Sequence, residues 1–233
     1  EKIGIVNNTI QECIPEMRSA ADNNPNAQLL IRALQFSSGA SWITSSPVPV
    51  EDYGWEDMDA NGLTEMGKAF DLLAAQLSIP PMPERALPPV IVLLSDGQPT
   101  DDYKKSMEKL KKLPWFRKAV KIAISIGQDA DDEVLIEFTG NKELVLQANN
   151  ATALAKMIKW ASTTASMVSA PSSKPMNSVP ASTPEVDTPA SGASVAASTP
   201  ADDPFAPANN GAPLVLDMSN IPNPDDFDEG AVW

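Results

Sequence analysis

The sequence predicts an α/β fold: a doubly wound, mostly parallel sheet with one antiparallel edge hairpin, followed by a disordered tail. Three observations carry it. Residues 89–94 and 119–125 are nearly continuous apolar runs rich in β-branched side chains, the pattern of strands covered on both faces. Amphipathic helical patterns stand before, between and after these runs, so that strand and helix alternate. The first run stops at Ser95-Asp96-Gly97 and the second just before Gly127. Open α/β sheets place their working loops at such strand ends.

The elements follow in order. Over 2–21, Ile3, Val6, Ile10, Cys13, Ile14 and Met17 recur at helical spacing, with Pro15 inside the pattern. Residues 27–37 form a strand. Ser38-Gly39-Ala40 turns the chain into a shorter one over 40–44, which makes a hairpin. Residues 45–62 hold Pro47, Pro49, Gly54 and a run of acids, and are expected as loop. Met66, Ala69, Phe70, Leu73, Ala74 and Leu77 predict a helix over 64–78, with Thr64 and Glu65 suited to its first turn. After the strand at 89–94, Thr100 or Asp101 is placed to cap a helix reaching about residue 112. A strand over 119–125, a short helix over 131–139, a strand over 143–147 and a helix over 150–165 complete the body. Cys13 and Trp160 are expected in its core, while Trp42 and Trp115 are left between packing and exposure.

Composition removes several function classes. The chain has no histidine and one cysteine. That excludes imidazole bases, imidazole–zinc sites and an internal disulfide. A net charge of −14 argues against nucleic acid, whose phosphates demand a basic face, and favours a cation or a basic protein surface. No apolar run approaches the roughly 20 residues of a membrane helix, and the sequence does not open on a signal-peptide pattern. It begins at Glu1 rather than Met, which leaves a preceding segment open.

The chemistry concentrates at the end of the strand over 89–94. Asp96 leaves a core strand, Gly97 permits a sharp turn, and no Lys or Arg lies within the turn. Oxygen donors placed this way suit a hard cation such as Mg²⁺. Thr64, at the start of a helix, is placed to bring a hydroxyl to the same end of the sheet. LLSDGQPTDD at 93–102, NGLTEMGKAF at 61–70 and MIKWAS at 157–162 together resemble the von Willebrand factor type A domain. The branch they resemble most is the bacterial TerY-like one of tellurite resistance, and the resemblance covers residues 1–168. It implies a metal-ion-dependent adhesion site with Thr64 and Asp96 as the second- and third-loop ligands of Mg²⁺ or Mn²⁺. The first ligand loop, Asp-x-Ser-x-Ser, and the strand before it are expected just upstream of Glu1. Without them the site is incomplete and the sheet defective.

The resemblance further implies a non-enzymatic, cytoplasmic module. Its partners are proteins of a stress-response or signalling system, kinase- or phosphatase-linked, that offer a carboxylate to the metal. A second reading is a metal-independent scaffold working through acidic faces and the tail. A third is a phosphoryl-transfer or hydrolytic enzyme centred on Asp96. Against the third stand the missing phosphate loop with its lysine and the missing G-x-S-x-G elbow. Plainer roles remain for each residue. Asp96 suits a helix cap or an Asx turn, Thr64 a helix start, and the acids at 51–59 a solvated face.

After residue 168 the composition changes. Half of the chain's 22 prolines fall there, among Ser, Thr and Ala, with nine acids against Lys174. Such a segment buries too little apolar surface to offset chain entropy. Residues 169–212 are expected as a disordered linker and 213–233 as an acidic tail. Asp225-Asp226-Phe227-Asp228-Glu229-Gly230-Ala231-Val232-Trp233 suits a docking peptide or a solubilising end. Residues 213–219, Pro-Leu-Val-Leu-Asp-Met-Ser, imitate a first strand and part of its loop. Chance resemblance and occupation of an empty strand position are the two readings.

Overall fold

The computed structural model describes residues 2–22, 28–59, 62–128 and 130–168. The predicted linker, tail, docking peptide and strand-like segment 213–219 lie outside the described residues. The architecture is the predicted α/β one. α1 (Lys2–Asp22) comes first, with Pro15 inside it as expected. β2 (Leu34–Ser37) and β3 (Gly39–Trp42) form the predicted hairpin, paired from Leu34–Trp42 to Ser37–Gly39. Gly39 turns it with a φ of 119°, a left-handed conformation that glycine adopts without a Cβ penalty. The hairpin stands as its own two-stranded sheet.

Two sequence expectations change in this region. The strand over 27–37 is broken into β1 (Leu30–Ile31) and β2. The break falls at Arg32, whose guanidinium donates to the carbonyls of Thr44 and Ser45 and to the Gln76 side chain, and lies 4.0 Å over the Trp42 ring. A side chain with that many donors takes its backbone out of the ladder to reach them. The segment 45–62 is not all loop, because β4 (Val48–Pro49) pairs antiparallel with β1. A two-residue ladder is too short to show alternation, and Pro49 spoke against it.

The main sheet is three-stranded and parallel, in the order β5 (Val90–Ser95), β6 (Val120–Ile126), β7 (Val145–Ala148). Helices cover both faces. On one face α1 and α6 (Ala151–Val168) pack against Ile122, Ile124 and Ile126 of β6 and Val90, Val92 and Leu94 of β5. The other face holds α2 (Met66–Gln76), α3 (Tyr103–Lys112), α4 (Pro114–Lys118) and α5 (Asp132–Thr139), which meet Ile91, Leu93 and Ala123. This alternation is the two-residue period of a strand between two helix layers. Cys13 and Trp160 are core residues, as expected. Trp115 is also buried and donates to the Pro83 carbonyl at 3.2 Å, while Trp42 carries Arg32 on its ring.

Buried Asn7 of α1 holds the acidic segment. Its amide donates to Met58 O at 2.9 Å and accepts from Met58 N at 3.0 Å. Arg18 adds bonds to Val50 O and Tyr53 O, both at 2.9 Å. The backbone of 50–58 is thus tied to α1, while Glu51, Asp52, Glu56, Asp57 and Asp59 remain exposed.

Candidate functional site

The site lies at the carboxyl end of β5. Ser95, the last strand residue, is buried, and its hydroxyl donates to Gly97 O at 3.2 Å, which closes the turn. Asp96 is thereby pushed out, with 59% of its side chain exposed. Gly97 is tightly packed on the inner side: a Cβ there would lie 3.1 Å from the Thr64 hydroxyl oxygen. The structure therefore brings Thr64 against the Ser95–Gly97 loop, joining the two segments that the sequence singled out.

Two devices hold these loops together. Thr64 and Thr100 exchange bonds: Thr64 N donates to Thr100 Oγ1 at 3.2 Å, and Thr100 N donates to Thr64 O at 2.9 Å. Asp101 then reaches across to the start of α2. Its carboxylate accepts from Gly67 N at 2.9 Å and Lys68 N at 3.1 Å. These are free N–H groups of a helix N-terminus, where a carboxylate is favoured by both hydrogen bonding and the helix dipole. The approach needs Gly67, because a Cβ there would meet Asp101 Oδ2 at 2.9 Å and Tyr103 Cα at 3.0 Å.

This arrangement corrects two expectations. Asp101 does not cap the helix that follows it. α3 starts behind Asp102, which makes no side-chain cap bond. Thr64 does not cap α2 either: the helix begins at Met66 behind Glu65, and the cap comes from Asp101. Each plainer role for Thr64 is thereby filled by another residue. Its hydroxyl is left facing the loop that carries Asp96. Asp96 caps neither helix; its carboxylate lies 3.7 Å from the Lys2 ammonium at the start of α1.

Lys2 was not foreseen, since nothing in sequence spacing joins residues 2 and 96. Neither was the Asp101 cap, a tertiary bond between segments 34 residues apart. The Gly67 position in the TEMGKAF segment was the one available hint, as a glycine inside a helical pattern marks close approach.

The donor set suits a hard cation in kind. A hydroxyl and a carboxylate oxygen are the ligands Mg²⁺ and Mn²⁺ take, and the Lys2 ammonium beside Asp96 marks a position where positive charge is favoured. Thr64 and Asp96 supply two side-chain oxygens, against about six positions around Mg²⁺. Among the described residues no group of three or more Cys, Asp or Glu gathers as a metal site.

No family model matches this chain, and no curated protein does. Solved structures do. A structure of proximal thread matrix protein 1 from the mussel byssus, with a zinc-occupied MIDAS motif, is 17% identical with a TM-score of 0.53. The likeness covers 72% of this chain and 43% of that one. A second crystal form of the same protein is 18% identical with a TM-score of 0.51 over the same shares. A von Willebrand factor type A protein from Catenulispora acidiphila is 14% identical with a TM-score of 0.49, over 71% of this chain and 38% of that one. The body shares the fold of proximal thread matrix protein 1. The chain spans less than half the length of each of these proteins.

Proposed function

We propose that this chain is a non-enzymatic protein-interaction module that recognises a partner's carboxylate through a divalent cation. Thr64 Oγ1 and an Asp96 oxygen would hold the cation, Mg²⁺ or Mn²⁺, whose remaining coordination positions accept the partner. The supporting observation is the juxtaposition of Thr64 with the Ser95–Gly97 loop, with Asp96 exposed and the N-terminus of α2 capped by Asp101 rather than by Thr64. The zinc-occupied MIDAS motif of a matrix protein sharing the fold supports the same reading. By resemblance, the setting is a cytoplasmic TerY-like, tellurite-resistance type of stress-response system with kinase- or phosphatase-linked partners. The test is Mn²⁺ binding, followed by paramagnetic broadening of backbone amide signals. Broadening centred on Thr64 and on Asp96–Gly97, lost on adding EDTA and in Asp96→Ala, is the expected result. Broadening that spares these residues, or that persists in Asp96→Ala, would falsify the cation-bridged mechanism.

A second reading rests on the exposed acids at 51–59, whose backbone is held firmly by Asn7 and Arg18. A fixed acidic surface suits a basic partner without any metal. Binding of that kind weakens with salt and is indifferent to EDTA.

A further inference from the structure

Positive charge in this acidic chain is gathered in one place. Residues 103–121 hold eight of its 17 basic side chains and one of its 31 acids. They form α3, α4 and the start of β6. The five lysines of α3 and both basic residues of α4 are exposed. The apolar residues between them, Met107, Leu110, Trp115 and Phe116, are buried.

Helix stability accounts for only part of this charge. Lys109, Lys111 and Lys112 stand in the last turn of α3, where cations suit the helix dipole. Lys109 also pairs with Asp71 of α2 at 2.8 Å, and Lys111 with Glu137 of α5 at 2.7 Å. Lys121 is committed too, donating to the carbonyls of Phe116 at 3.1 Å and Ala119 at 3.2 Å. Lys104 and Lys105 are different. They stand in the first turn, at the positive end of the dipole, where a cation is disfavoured. No acid lies in that turn, and Asp102 makes no side-chain cap bond there. Among the described residues Lys104, Lys105 and Lys112 enter no ion pair. Lys104, Glu108 and Lys112 follow one another at four-residue steps, with Lys105 beside them. The three lysines therefore share one exposed face around Glu108.

We infer that this face of α3 docks an acidic segment of a partner protein, a run of Asp and Glu side chains. Such a segment offsets the charge that Lys104 and Lys105 place at the wrong end of their own helix. The face is a rigid platform, since Met107 and Leu110 are fully buried and Lys109 and Lys111 tie α3 to two other helices. Docking therefore orders little on this side. The 10 residues of α3 span about 15 Å, which about five residues of extended peptide match. Larger polyanions fit less well. Outside residues 103–121 acids far outnumber basic residues, so a nucleic acid reaching past the stripe meets repulsion. Trp115 and Phe116 are buried, so they neither stack on bases nor enter a bilayer. This docking needs no metal and is independent of the cation site.

The experiment uses the whole chain in EDTA at low salt, titrated with a peptide of alternating Asp and Glu and followed by backbone amide shifts. Saturable shifts centred on 104–112, lost at high salt, are expected. Lys104→Gln combined with Lys105→Gln should weaken binding about fivefold or more, and Glu108→Gln should tighten it about twofold. Because both lysines oppose the helix dipole, the double variant should melt no lower than the parent chain. Lost binding without a lowered melt marks docking and not a structural role; if the melt does fall, Glu108→Gln decides alone. Shifts that spare α3, equal binding by the double variant, or a Glu108→Gln variant that binds no tighter each overturn the assignment. Duplex DNA and phosphatidylserine vesicles serve as competitors. Displacement of the peptide by either at a lower concentration of charge would assign the face to that polyanion and overturn the acidic-peptide reading.

Discussion

β5 and β6 are neighbours with nearly the same sequence signature and different fates. Both are short apolar runs in a parallel sheet with helices on both faces. β6 pairs on both sides, and five consecutive residues from Ile122 are buried. β5 pairs on one side among the described residues, and most of its apolar side chains are half-covered. Their carboxyl ends differ as well. Beyond β6, Asp132 accepts from Ser125 at 2.8 Å and from Gln147 at 2.7 Å, so its carboxylate is committed to joining β6 to β7. Beyond β5, Asp96 lies 3.7 Å from the Lys2 ammonium, its one ionic partner among the described residues, and its side chain is 59% exposed. The central strand spends its polar end on structure, while the polar end of β5 stays exposed.

The largest test of this contrast is core truncation. Ile124→Ala should cost about 2–5 kcal/mol, the range for a fully buried isoleucine. Ile91→Ala should cost roughly half of that, since its side chain is partly exposed already. Denaturant unfolding of both variants measures the difference. Equal costs would break the contrast and would instead favour a covered β5 edge in the whole chain. Next in size is the pair of aspartates in one loop. Asp101→Ala removes the carboxylate that caps α2 and should cost about 1–2 kcal/mol. Asp96→Ala should change stability by less than about 0.5 kcal/mol, because an exposed ion pair contributes little. A comparable loss from both would mean that Asp96 is structural.

A further small effect lies away from both strand ends. Lys109, which donates to Asp71 at 2.8 Å, holds the Asp71 carboxyl below its ordinary pKa. A lowered carboxyl pKa stabilises the fold above the unfolded-state value near 3.8, and the contribution fades as pH falls through the folded-state value. Asp71→Asn should therefore flatten the loss of stability at acid pH by less than about 1 kcal/mol, since both partners are about half exposed. Thermal melts from pH 7 down to pH 2 would show it. A larger change would point to a role beyond this surface pair.

Thr64 and Asp96 could be singled out from local chemistry alone: a glycine-bearing turn after a core strand and a hydroxyl before a helix. The bonds that bring them together could not. Asp101 is adjacent to α3 in sequence and so reads as its cap. In space it stands over the N-terminus of α2, which has free N–H groups and a glycine at the point of contact. Arg32 reads as one residue of a strand until Thr44, Ser45 and Gln76 are near enough to draw its guanidinium away.

The sequence by itself determined the element types. The 2.0 and 3.6 residue periods are local properties of backbone geometry, so the helices, the buried strands and the parallel α/β class follow from short windows. It also determined which donors are present, because the absence of histidine and the residues of the Ser95–Gly97 turn do not depend on folding. Only the tertiary structure decided which acid is used and which is left over. Hydrogen-bond partners and free edges are set by what stands alongside, and in this chain those neighbours come from segments tens of residues away. That is why Asp101 became a clamp while Asp96 stayed exposed, and why two strands with the same pattern ended up differently covered.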